Sequence, residues 1–310
     1  MERVNQNISV SEFILLGLSS RPEDQKPLFI LLLTIYLVTI AGNLLIILAI
    51  YSDPHLQTPM YFFLSFLSFT DICFTTTIVP KMLVNFLSEK KTISYAGCLT
   101  QMYFLYALGN SDSCLLAVMA FDRYVAICNP FHYVTIMNHH RCVLLVTISC
   151  SLPHLHSLLH TLLLNCLTFC DSNVIHHFLC DLSPLIKLSC SSTFVNEIVI
   201  VTEGALVLVT PFLCIAFSYI RILLMVLKIP SAAGKHKAFS TCGSHLTVVT
   251  LFYGSIFYVY LQPVSTYTVK DHIATLVYTV LTSMLNPFIY SLRNKDLKQG
   301  LRKLMSRRRV

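Results

Sequence analysis

The chain of 310 residues is 55% hydrophobic and only 12% charged, with a mean hydropathy of +0.68 and a formal net charge of +7. Soluble domains carry roughly 25% charge, and here the apolar residues fall in blocks of about 20 or more, so a water-soluble globular fold is excluded. No P-loop, H-E-x-x-H or G-x-S-x-G string is present, which leaves enzymes of those classes unsupported.

Residues 1–27 form an extracellular N-terminal segment in which no apolar stretch follows a basic one. A cleavable signal peptide is therefore not expected, and the first span acts as the insertion signal. The sequon Asn7-Ile8-Ser9 makes Asn7 a candidate glycosylation site on the lumenal side. Apolar blocks at about 28–50, 59–86, 98–128, 141–165, 196–226, 237–261 and 272–292 predict seven membrane-crossing helices. The expected fold is an all-α membrane protein, a seven-transmembrane helix bundle over 28–292, with a cytoplasmic amphipathic helix and basic tail over 293–310. With the N-terminus outside, the inner segments hold 14 of the 22 basic residues against three acids (Asp53, Asp122 and Asp296), a net +11, and everything else nets −4. The positive charge is thus a topology signal, and no nucleic-acid partner is expected. With no Trp in the chain, the 15 Tyr residues must supply most of any interfacial aromatic belt.

Polar residues inside the spans are costly and mark function by default. Asp71 and Asp112 fall near mid-membrane by helical rise, with Asn43 and Asn286 at comparable depth. Two carboxylates and two amides suit a hard cation such as Na⁺ or a shared proton, or else a polar network that only joins helices. The third span runs from Cys98 to the Asp122–Arg123 pair, a length of about 37 Å. Asn286-Pro287-Phe288-Ile289-Tyr290 puts a helix breaker near the inner end of the seventh span, and Pro211 with Tyr219 has the same character in the fifth. Cys98, Cys170, Cys180 and Cys190 all fall on the outer side, where disulfides persist, and four cysteines allow three pairings. His177-Phe-Leu-Cys180-Asp181 has the shape of a Cu²⁺ or Zn²⁺ site but needs a thiolate that a disulfide would consume. His156 and His160 stand at i, i+4, two ligands rather than a site. In the tail, Leu297, Leu301 and Leu304 share one face opposite basic residues, the pattern of an interfacial helix drawn to anionic lipid together with Arg307–Arg309.

Several strings carry a family resemblance over nearly the whole chain. They are Glu12-Phe-Ile-Leu-Leu-Gly17, Gly42-Asn43, Thr58-Pro-Met-Tyr-Phe-Phe-Leu64, Met119-Ala-Phe-Asp-Arg-Tyr-Val-Ala-Ile-Cys128, Ser218-Tyr219, Lys237-Ala-Phe-Ser-Thr-Cys-Gly-Ser-His245 and Asn286-Pro-Phe-Ile-Tyr-Ser-Leu-Arg-Asn294. Together they resemble the odorant (olfactory) receptors, a subfamily of the rhodopsin-like G-protein-coupled receptors.

The resemblance implies a multi-pass plasma-membrane receptor that pairs Cys98 with Cys180 and Cys170 with Cys190. It implies an activation switch of Asp122, Arg123 and Tyr124 with Tyr219, Asn286, Pro287 and Tyr290, and a candidate sodium site at Asp71 and Asp112. A small odorant would bind in the outer part of the bundle. Leu105, Tyr106, Gly109 and Asn110 fit that site by depth, with His160, Glu203, Tyr253, Ile256, Phe257 and Tyr260 as further candidates. Glu203 also raises the idea of selecting amines. The implied partner is a heterotrimeric G protein of the stimulatory olfactory type, with membrane lipids around the bundle and no required cofactor beyond the candidate Na⁺. The rival readings are a receptor of the same class for an amine, lipid or metabolite, and a channel or transporter, whose internal repeats and paired broken helices are not seen. Four departures from the family pattern stand out. Phe121 replaces a usual Tyr beside the switch, Ser283 replaces a usual Pro and predicts a straighter seventh span, Gln57 replaces a frequent His, and the fourth span has no Trp.

Overall fold

The computed structural model describes residues 10–19, 21–170, 172–228, 230–260 and 269–307, so Asn7 and Arg308–Arg309 lie outside the described residues. Among the described residues, seven helices are long and apolar enough to cross a membrane. They are α1 (Pro22–Ser52), α2 (Pro59–Leu87), α3 (Tyr95–Cys128), α4 (His139–Asn165), α5 (Phe194–Leu227), α6 (Ala232–Tyr260) and α7 (residues 269–293), followed by α8 (Lys295–Arg307). In hydrocarbon every backbone polar group needs an internal partner, which is why these segments are helical throughout. Most helices outrun the apolar blocks by several residues, because capped and Pro-led ends carry them into the polar zone. Pro22 and Pro59 open α1 and α2. The Ser94 side chain accepts from the Gly97 N–H to cap α3, and that of Asn138 accepts from the Arg141 N–H to cap α4.

Two spans contain a wide π turn, at Ile200–Gly204 in α5 and Val277–Leu281 in α7. The straighter seventh span expected from Ser283 is thus interrupted just above that residue. Further in, Pro287 cannot donate to the carbonyl four residues back, and that carbonyl, on Ser283, instead accepts from Asn43 Nδ2 at 3.1 Å. The neighbouring Gly42 lets α1 approach, since a Cβ there would meet the Pro287 ring at 3.1 Å. Gly42-Asn43 therefore serves the break in α7.

A three-stranded sheet, absent from the all-α expectation, lies at the outer end. Strand β1 (Glu12–Leu15) runs between β2 (Thr92–Ser94), antiparallel, and β3 (Val174–Ile175), parallel, with Phe13 opposite Ile93 and Ile14 opposite Val174. Phe13 and Leu15 are fully buried while Glu12 is exposed, the alternation of a half-buried strand. The Phe13 ring meets Phe169 edge-on at 5.5 Å. With four, three and two residues, these strands are too short for their alternation to stand out in the sequence.

Below the sheet, His177 is 1% exposed, its carbonyl accepts from the Gly17 N–H, and its ring meets that of His272 at 4.9 Å. Burial, reinforced by His272, pulls its pKa down to about 3. The folded protein therefore resists a proton that the unfolded chain accepts near pH 6.5, so the His177 contribution to stability is complete above that pH and fades as pH falls toward 3. Between pH 6.5 and 5 the loss is about 2 kcal/mol at most. Melting of purified receptor should fall over that interval, and His177→Asn should flatten the decline; an equally steep decline in the variant would assign it elsewhere.

At the inner end, α8 is anchored to the bundle by its apolar face. Leu297 is fully buried, Gly300 sits where a Cβ would strike Leu56, and Lys303 Nζ pairs with Asp53 Oδ2 at 2.9 Å. The Lys303 ammonium and the His55 N–H hold the Asp53 carboxyl below its ordinary range. Leu301 and Leu304 are half-buried, so the face drawn in sequence as purely interfacial is shared between protein and surroundings.

Candidate functional site

Three polar or hollow regions follow one another down the bundle. The outermost is a cavity of about 320 Å³. Leu105, Tyr106, Gly109 and Asn110 present one stripe of α3 to it, joined by His160 from α4 and Ile256 from α6. Tyr106 is fixed from above, its hydroxyl donating to Asp181 Oδ1 at 2.5 Å. Asp181 follows disulfide-bonded Cys180 and also caps the short helix Leu182–Lys187. Burial pushes the Asp181 carboxyl up, and the bonds from Tyr106 and the Leu182 N–H work against that shift. The disulfides present are Cys98–Cys180 and Cys170–Cys190.

Three sequence candidates stand outside the cavity lining. Tyr253 lies behind it, its hydroxyl sharing a 2.6 Å hydrogen bond with Ser113, which does face the cavity. Phe257 packs against Phe212 and Tyr253 instead. Glu203 lies half-buried on the π turn of α5 and is not among the residues lining the cavity. The side chain of Tyr260 falls outside the described residues. Sequence reasoning missed Phe74, Leu182, Val207, Leu208, Phe252 and Tyr278, all of which line the cavity. Their apolar or aromatic character is that of any span residue, so only the packing of the helices distinguishes them.

At mid-depth, Asp71 and Asp112 are buried at 2% and 4% exposure. Asn286 Nδ2 donates to Asp71 Oδ2 at 2.7 Å, and the Thr70 hydroxyl donates to Asp112. The side-chain oxygens of Asn43 and Asn286 are buried without a partner. Carboxylate, amide and hydroxyl oxygens around orphaned acceptors are a donor set that suits a hard monovalent cation. No group of three or more His, Cys, Asp or Glu comes together among the described residues. The His177–Cys180 metal reading also lacks its thiolate, since Cys180 is in a disulfide.

At the inner end the Asp122–Arg123 pair diverges. Asp122 accepts from the Tyr133 hydroxyl at 2.8 Å, and Arg123 reaches the Met60 thioether. Burial and the neighbouring Asp122 push the Tyr133 hydroxyl up, so it stays protonated and keeps donating. The ion pair found among the described residues is Lys303–Asp53, not one within this motif. Tyr219 shares a 2.8 Å hydrogen bond with His245 Nδ1, and His245 Nε2 meets the Leu116 carbonyl at 3.0 Å, tying α5, α6 and α3 together. Tyr290 is buried with its hydroxyl unpartnered. Tyr124 packs between Phe121 and Phe217. Phe121 is 38% exposed on the outer side of the bundle. Its ring meets that of Tyr124 at 6.2 Å, so it touches the switch through Tyr124.

Among the described residues, seven crossing helices, a disulfide-pinned outer loop above a cavity and an Asp-Arg-Tyr run near the inner end of α3 define a rhodopsin-like G-protein-coupled receptor. The family model described as olfactory receptor matches residues 32–308. Human olfactory receptor 1L8 is 84% identical over 308 residues, covering 99% of this chain and all of the relative. Human olfactory receptor 1L1 is 75% identical over 96% of this chain and 82% of its own length, and rat olfactory receptor 1f45 is 56% identical over 99% and 98%. The chain belongs to the olfactory receptor family. It is accordingly a multi-pass plasma-membrane odorant receptor that acts through a G protein, and it is not an enzyme.

Proposed function

We propose that this receptor binds a small, weakly polar odorant in the outer cavity and drives a stimulatory olfactory-type G protein, raising cAMP. The observation that carries this reading is the Ser113–Tyr253 hydrogen bond, which joins the cavity wall on α3 to α6. Leu105, Tyr106, Gly109, Asn110, His160 and Ile256 contact the ligand, while Tyr253 and Phe257 relay its presence inward. A ligand that favours a different α3–α6 spacing shifts the equilibrium toward an open inner cavity, where Arg123, released from Met60, meets the G protein. Asp71 and Asp112, with Asn43 and Asn286, hold a Na⁺ ion that favours the resting state. Glycosylation falls at Asn7, and the basic face of α8 lies on anionic lipid.

An odorant panel with a cAMP readout tests the reading. Gly109→Leu fills the cavity from α3, where an added Cβ alone would meet the Phe74 ring at 3.5 Å. With surface level held equal, it should lower odorant potency about tenfold or more. Unchanged potency would move the ligand elsewhere, and a calcium response without cAMP would reassign the G protein.

A further inference from the structure

His156 and His160 stand one turn apart on α4, and their Nε2 atoms lie 3.1 Å apart in the cavity wall. At that distance one ring holds a proton on Nε2 and the other offers a lone pair, because two facing N–H groups would repel. Both Nδ1 atoms are buried without a hydrogen-bond partner, so no second hydrogen bond holds either ring in place. The Tyr106 hydroxyl beside them is already given to Asp181. The rest of the lining is mostly apolar, with Phe74, Leu208, Phe252 and Ile256; its other polar side chains are the Asn110 amide, the Ser113 hydroxyl already shared with Tyr253, and the Tyr278 hydroxyl.

We propose that the His156–His160 pair reads the ligand headgroup and selects odorants that carry a hydroxyl. This rests on the outer cavity being the odorant site. A hydroxyl inserts into the existing bond without changing the number of protons: one Nε2–H donates to its oxygen, and its O–H donates to the other Nε2. Each leg is about 2.8 Å, so the rings part by about 1.5 Å, which their unanchored Nδ1 edges permit. A ketone or ether can only accept, so it either leaves one Nε2 lone pair unpaired or requires that ring to move its proton from Nδ1 to Nε2, whereas a hydroxyl fits the pair with both tautomers as they stand. A carboxylate also can only accept, and it brings a full charge into a mostly apolar cavity. An ammonium needs acceptors alone and has to displace the bridging proton.

The test uses a matched octyl series on cells expressing the full-length receptor: octanol, octyl methyl ether, 2-octanone, octanoic acid and octylamine. Octanol should be more potent than the ether and the ketone by about tenfold or more. His160→Phe and His156→Phe should each lower octanol potency until that gap closes to within about threefold, with surface level read from an N-terminal epitope as the control for folding. His160→Gln, which keeps a donor and an acceptor, should retain part of the gap. A silent response to octanol, an equal or stronger response to any other member, or a gap that survives both Phe variants overturns the proposal. Gly109→Leu separates the two layers. If it leaves the octyl responses untouched, the cavity reading itself fails; if it abolishes them while the hydroxyl preference survives the Phe variants, only the headgroup assignment fails.

Discussion

Arg123→Ala is expected to remove odorant-evoked cAMP, with a drop of about a hundredfold in response, while the receptor still reaches the cell surface. Arg123 lies near the inner end of α3, reaches Met60 on α2, and shares that end of the bundle with the Tyr219–His245 bond between α5 and α6 and with buried Tyr290 on α7. A single cation among these helices is well placed to report their rearrangement. The surface level should hold because, among the described residues, Arg123 is in no ion pair that its removal would break. Its contact with Met60 is one of the weaker kinds, and deleting a half-buried charge relieves desolvation. Surface labelling beside a cAMP assay decides the matter. Signalling within a few-fold of wild type would remove Arg123 from the switch, and loss from the surface would make its role structural.

The second large effect is expected at the outer end. Cys98→Ser should abolish surface delivery, and Cys180→Ser should match it, with the double variant no worse than either single one. The bond links positions 82 residues apart. Chain-entropy arguments give about 4.5 kcal/mol for a loop of that size, an upper bound because the intervening membrane helices already restrict the unfolded chain. The bond also holds Asp181 over Tyr106, so its loss frees the roof of the cavity along with the loop. Flow cytometry of an N-terminal epitope reads the result. A single variant with half or more of the wild-type surface level would show that the roof is held by the sheet instead.

Much of this architecture is legible in the residues because hydrocarbon imposes a strong code. Apolar length locates the spans, and lysine and arginine set their direction. Expensive intramembrane acids such as Asp71 and Asp112 stand out against that background. The α3 stripe was legible for a different reason: helical spacing alone puts Leu105, Tyr106, Gly109 and Asn110 on one side at one depth. What the sequence hides is set by packing between helices. Nothing in the string around Tyr253 says that Phe252 lines the cavity while its neighbour stands behind it. Phe121 touches the switch through Tyr124, three residues on along the helix face, rather than through its nearer neighbours in sequence, because consecutive residues on a helix point about 100° apart. The π turns escaped notice because they change the facing of later residues without altering composition.

The outer sheet has a consequence for the order in which the receptor is built. Strand β1 leaves the ribosome first, yet its partners lie at Thr92–Ser94 and Val174–Ile175. It must wait on the far side of the membrane while two spans are threaded before β2 arrives and four before β3, with Phe13 and Leu15 not fully covered until then. During that wait its unsatisfied edges are open to any other extended chain nearby. The last piece of the roof to close is thus the first that was made. A receptor stalled before residue 174 would carry an exposed, sticky strand, a natural mark of unfinished assembly for quality control to recognise.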